Sequence, residues 1–346
     1  MYLAVYLPIF IPVLAALAAR PLADRLPPAA ATWLLAGSAF ALAVTSSAVL
    51  GLLALTAVGR VPLLDSLSNV SATIMTRDDP ASLPVAIVAG ALLAAAAVAA
   101  GRAAYRRIGA IVAAGRKAHR LPGSGQVVVT DDEAADAYTL PGWPCRVVIT
   151  SGMLRALSDP ERRVLLAHER SHAGRAHYLF TSVARLAAAA NPLLRPVAAE
   201  VGFTVERWAD EDAARVIGDR PLTARAVAHA AMATSASPPE RDDEMGALGM
   251  AVSAIGRGPG GSGARGDGGR EPPMHGGRQS PRASRELRRA GPVPRRVAAL
   301  LAPAPRPRFV LFVAALLLVA LSGVSALEAA KNMHQLIEYA QAAARH

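Results

Sequence analysis

Apolar positions in this chain gather into blocks instead of alternating along its length. Tyr2 to Ala19 carries no charge, Thr32 to Val58 and Leu83 to Ala100 repeat that pattern, and Phe309 to Ala326 closes the series. About 20 such residues cross the hydrocarbon core of a bilayer, so four spans are expected, near 2–19, 32–58, 83–100 and 308–326. Pro8 and Pro12 should kink the first span, which lacks the basic start of a cleaved leader.

Between residues 102 and 256 the pattern changes. Gln126 to Thr130 and Arg146 to Thr150 are short β-branched runs, and Ala137 to Leu140 predicts a third strand. Ser158-Asp-Pro160-Glu161 reads as a capping box with proline in the first turn, so a helix should begin near Asp159 and run past His172. Two more helices are expected over Tyr178 to Ala190 and Leu194 to Val216, the second stopped by Gly218, and short ones over Leu222 to Ala233 and Glu244 to Ile255. Residues 257–292 are rich in Gly, Pro and Arg and are expected to be disordered, because they offer little apolar surface to bury. A short helix in 293–307 should pack back on the domain, and 327–346 is expected to be a short external tail.

The helix from Asp159 carries the chemistry. Its His168-Glu169-Arg-Ser-His172 is an H-E-x-x-H, and residues four apart share a helix face, so both imidazoles can reach one metal with Glu169 beside it. Imidazole and carboxylate donors suit Zn2+, one per chain, with Glu169 as the base that takes a proton from water. Downstream, Glu206 and Asp210 are again four apart. Glu206 is the expected third ligand, and Asp210 should accept a hydrogen bond from a ligand imidazole and fix its tautomer. His177, five residues past His172, lies off the ligand face and is expected beside the ligands, not among them. No feature singles out an oxyanion-stabilising residue among His177, Tyr178 and Arg207.

Val127-Val-Val-Thr, Ala137-Tyr-Thr-Leu-Pro-Gly, Arg146 to Leu154 and Leu157-Ser-Asp-Pro-Glu161 leading into the H-E-x-x-H together resemble the integral-membrane gluzincins. The short interval to Glu206 and the intervening Asn191-Pro-Leu are most similar to the BlaR/MecR-type membrane metallopeptidases, with the HtpX and CAAX endopeptidases related. The resemblance covers about residues 120 to 216. It implies zinc on His168, His172 and Glu206, Glu169 as base, and a substrate backbone paired with an edge strand formed by Arg146, Val147, Val148, Ile149 and Thr150. The family often has Asp where His177 stands. The implied fold is a membrane α-helical protein of four spans with a cytosolic α+β zincin-like metallopeptidase domain.

Charge sets the expected topology. Arg102, Arg106, Arg107, Arg116, Lys117 and Arg120 follow the third span, and loop 60–82 carries more acids than bases. The positive-inside rule then places the peptidase domain in the cytosol of a bacterial-type plasma membrane and both termini outside. The net charge of +11 is almost all arginine, but no aromatic residue interleaves the basic 257–292 stretch, so direct nucleic-acid binding is not expected. The basic cluster beside a span suits membrane lipid. Cys145 is the sole cysteine, which excludes an intrachain disulfide.

The expected partner is a protein or peptide substrate. A cytosolic transcriptional repressor is the signalling form of that expectation; the 20-residue tail is too short for the penicillin-binding sensor of the BlaR type. Two rivals stand beside it: HtpX-like quality control of membrane proteins, and a non-enzymatic membrane scaffold. Oligomeric state is unspecified by the sequence.

Overall fold

A computed structural model describes residues 2–58, 83–123, 125–142, 145–236, 291–303 and 309–343. The helix expected over 244–255, the loop 60–82 and the Gly/Pro/Arg-rich stretch up to Ala290 lie outside the described residues. The molecule is mostly helical, and its contacts divide it into two units.

The first unit comprises residues 1–109, 179–205 and 305–346. It contains α1 (Tyr2–Arg25), α2 (Pro28–Val58), the first part of α3 (Leu83–Arg120), most of α6 (His177–Ala190), a 3-10 turn (Pro192–Leu194), the start of α7 (Arg195–Ile217), and α10 (Phe309–Ala343). Within them Leu7–Arg25, Pro28–Leu55, Leu83–Arg120 and Val310–Lys331 are long and apolar enough to cross a membrane. Helices α3 and α10 continue beyond the apolar runs that predicted them. Ala, Arg and Glu are good helix formers, and nothing at Gly101 or Glu328 interrupts the pattern.

Leu26, Leu34, Leu35, Leu42, Leu194 and Val197 are buried in this unit's core. Its few polar side chains meet one another. Thr32 Oγ1 donates to Thr204 Oγ1 at 3.0 Å, Thr45 and Ser322 hydroxyls are 2.9 Å apart, and Asn191 Nδ2 donates to Ser46 Oγ at 3.1 Å. Arg107 Nε donates to Ser182 Oγ at 2.7 Å, joining α3 to α6.

The second unit comprises residues 110–178 and 206–304. Strands β1 (Val127–Thr130), β2 (Ala137–Leu140) and β3 (Arg146–Thr150) form a mixed sheet in the order β1-β3-β2. β1 runs parallel to β3 with Val128 opposite Val148, and β2 runs antiparallel to it with Tyr138 opposite the same Val148. Arg146 to Thr150 is therefore the central strand and not the edge strand expected from the sequence. The reason lies in its composition: Val147, Val148 and Ile149 are buried on both faces, and the Arg146 guanidinium is turned onto the carbonyls of Gly123 and Gly125. The strand edges left in this sheet, among the described residues, are β1 and β2.

After β3 comes α4 (Ser151–Ala156). A Cβ on Gly152 would stand 2.1 Å from the Glu133 carbonyl oxygen, so only glycine fits this approach. Then α5 (Asp159–Gly174) starts at Ser158, whose backbone N–H and hydroxyl both donate to Glu161 Oε2, at 3.0 and 2.7 Å. Helix α7 ends at Gly218, where φ is +77°. Helix α8 (Arg220–Ala236) packs on α5, and α9 (Pro292–Leu301) packs on α8.

Candidate metal centre

Helix α5 presents His168, Glu169 and His172, all with little or no solvent exposure, and the C-terminal part of α7 presents Glu206 and Asp210. The ring nitrogens His168 Nε2 and His172 Nε2 are 3.1 Å apart. Glu206 places Oε2 3.6 Å from the first and Oε1 3.5 Å from the second. These three residues form a group whose donor atoms all lie within 4.8 Å of one another. A tetrahedron with ligand bonds of about 2.0 to 2.1 Å has an edge of roughly 3.3 Å, and the three measured separations bracket that length.

Asp210 stands on the far side of His168, with Oδ1 3.0 Å from Nδ1, though poorly aligned for a hydrogen bond. His177 approaches His172 in the same way: its Nδ1 is 3.1 Å from His172 Nδ1, and its ring, 1% exposed, lies 4.9 Å from the Trp208 ring. The turn that delivers His177 is unusual. Ala176 adopts φ +49°, a left-handed conformation costly for a residue with a Cβ, and this lets α6 begin at His177 directly after α5 has ended.

Glu169 is buried next to β2. Thr139 Oγ1 lies 2.9 Å from Glu169 Oε2 and 3.1 Å from the Glu169 carbonyl oxygen, tying the strand to the helix. Burial raises the Glu169 carboxyl above its ordinary value, only partly opposed by the nearby charge of His168 and the Thr139 hydrogen bond. Burial also works against the Glu206 and Asp210 carboxylates, but Arg296 outweighs it and, with the histidines, holds both well below the usual range. His168 shows the opposite balance: burial would lower it, yet the Asp210 and Glu206 carboxylates raise it to about 10. His172 is lowered to about 4 and His177 to about 3, by burial first in each case.

Arg296 was not singled out by the sequence. From α9 its Nε and Nη2 donate to Asp210 Oδ2 and Oδ1, both at 2.7 Å, and Nη1 lies 2.9 Å from Glu206 Oε2. No spacing rule links positions 86 residues apart. Its helix was legible, but its target was not. Thr139 likewise lay within a recognised segment without any pattern marking it as the partner of Glu169.

The donor set fits zinc: two imidazole nitrogens and a carboxylate oxygen, the donors zinc takes, converge at suitable separations, with the Asp210 carboxylate beside the second nitrogen of His168.

Residues 102–304 match the family model of Peptidase family M48. This chain belongs to peptidase family M48. Members of that family are typically zinc-dependent peptidases, and the match takes in every residue of the cluster just described. Comparison of this M48 chain with curated proteins and with solved structures gives no match.

Proposed function

We propose that this M48 peptidase is a membrane-embedded zinc endopeptidase whose domain works on the cytosolic side. The observation carrying the proposal is the convergence of His168, His172 and Glu206 from two helices, with Glu169 one residue from a ligand and tied to a strand edge. His168, His172 and Glu206 would hold the ion, which when bound would supply Lewis acidity toward a carbonyl and lower the pKa of water to about 7.

The chain's own groups do the rest. Glu169 accepts the proton of the attacking water on its carboxylate and passes it to the departing amine; its raised proton affinity suits a group that must hold that proton between the two events. Thr139 fixes Oε2 and so orients the carboxylate. Asp210 holds the His168 ring from its second nitrogen, and His177 contacts that of His172. The peptide pairs with β2, an edge of the sheet, in place of the buried Arg146–Thr150 strand. Thr139, bound to Glu169, puts that edge beside the base.

The four apolar helices support the membrane assignment, and the Arg102, Arg106, Arg107, Arg116, Lys117 and Arg120 cluster on α3 supports a cytosolic domain with both termini outside. The resemblance of the H-E-x-x-H to Glu206 interval and of Asn191-Pro-Leu to the BlaR/MecR type supports regulated cleavage of a repressor as the task. Elemental analysis of detergent-purified protein tests the core: about one zinc per chain, lost in His168→Ala and Glu206→Ala, is expected. Zinc-free wild type after metal supplementation would return the chain to a scaffold role. Cleavage of many unrelated membrane proteins, in place of one substrate, would move it to HtpX-like quality control.

A further inference from the structure

Two hydrogen bonds and one further ion pair take the Arg296 guanidinium onto carboxylates of the metal centre. Its Nε and Nη2 edge forms a two-pronged contact with Asp210, and Nη1 reaches Glu206. Asp210 Oδ1, held by Nη2, is the same oxygen that lies 3.0 Å from His168 Nδ1. The chain of contacts thus runs from guanidinium to carboxylate to imidazole.

The helix bearing Arg296 is fixed by contacts away from this cluster. Leu300 is buried with Ala214, Ala224 and Val227. Arg220 donates to the carbonyl oxygens of Leu300, Ala299 and Ala302 at 3.0, 3.1 and 3.2 Å, satisfying acceptors at the end of α9, and also pairs with Glu211. The helix bearing Arg296 thus has anchors besides the carboxylates its side chain contacts.

We propose that Arg296 is a positioning residue of the metal centre, which orients Asp210 against His168 and steadies Glu206 through a planar fork that a point charge cannot replace. Lysine would supply the same charge with no rigid edge, so Arg296→Lys separates geometry from charge. The inference rests on the reading that His168, His172 and Glu206 bind zinc.

The test is zinc affinity of the full-length protein in detergent, by competition with a chelator, for wild type, Arg296→Lys, Asp210→Asn and the double variant. Partners that orient metal ligands typically contribute 10- to 100-fold in affinity, and a loss of about that size is expected in each single variant. Because the two share the path through His168, while Arg296 also contacts Glu206, the double variant should lose clearly less than the sum of the single losses. If Arg296→Lys fails to fold, Arg296→Gln, whose planar amide still offers donors to Asp210, is read on the same scale, and wild-type zinc affinity there overturns the inference too. Wild-type zinc affinity in Arg296→Lys, or fully additive losses in the double variant, overturns the inference alone. Failure of wild type to bind zinc overturns the metal reading and the inference with it.

Discussion

The two units solve the problem of buried polarity in opposite ways. In the first, buried polar groups are hydroxyls and an amide that satisfy one another across helices, as Thr32 does with Thr204 and Asn191 with Ser46. Its outward surface is apolar, with Trp33 64% and Leu92 54% exposed. In the second, ionisable groups are buried together: Asp210 is 1% exposed, and His168, Glu169 and Arg207 are also buried. A group that must stay neutral in hydrocarbon is a hydroxyl; a group that must carry charge needs a counter-charge. The difference separates a scaffold from a reactive centre on one chain.

The contrast is sharpened most by removing charge from the centre. Glu169→Gln keeps shape and both imidazoles, so peptide cleavage should fall by roughly 10²- to 10⁴-fold with zinc content unchanged, checked by single-turnover assay beside metal analysis. Undiminished proteolysis would remove Glu169 from the mechanism.

The next arm places charge on the apolar unit. Leu92→Arg puts a guanidinium on the outward face of α3 and should cost about 2.5 to 3.5 kcal/mol in membrane insertion. Val216→Arg, at a site 74% exposed in the second unit, should stay within about 0.5 kcal/mol. Equal insertion efficiency of the two variants would mean that the Leu92 face does not meet lipid.

A smaller effect is expected at Thr139. Glu169 must be ionised to act as base, and its raised pKa places an acid limb on the pH profile of activity. The Thr139 hydrogen bond favours the ionised form, so Thr139→Val should shift that limb to higher pH and lower the rate about tenfold on the acid side. A limb that stays in place would show that the hydrogen bond does not act on the base.

The smallest effect concerns α5 far from the metal. Burial opposes ionisation of Glu161, but its bonds to Ser158 and then His229 outweigh this and lower its pKa below the ordinary 4.5. A lowered folded-state pKa contributes stability above 4.5 that is lost as pH falls through and below that value. Glu161→Gln should therefore cost about 1 kcal/mol at neutral pH and progressively less in acid, measured by thermal unfolding across pH.

Local signals account for what the sequence made legible. Four uncharged blocks announced helices, and four-residue spacing put His168 with His172 and Glu206 with Asp210, because such pairs depend on one helix each. The edge strand was misplaced because strand order depends on partners: Arg146 to Thr150 has the short β-branched pattern of an edge or a centre alike until β1 and β2 are seen on either side. Arg296 and Thr139 escaped for the same reason. Their roles are tertiary, and neither has a periodicity relative to what it contacts.

Helix α9 also divides the active unit in a way the chemistry does not reveal. Everything that binds or attacks comes from the chain before Ala236, whereas the guanidinium clamp arrives after Gly291, so one peptide cut between these points would create a split enzyme. Without a covalent bond, its two pieces would be joined in the second unit by the contacts of Arg220, Arg296 and Leu300, and in the first by α10 against α1 and α2, where the Thr45 and Ser322 hydroxyls meet. With apolar helices on both pieces, the bilayer would hold them at high mutual concentration, and the severed peptidase would reassemble in the membrane where free fragments in solution would part.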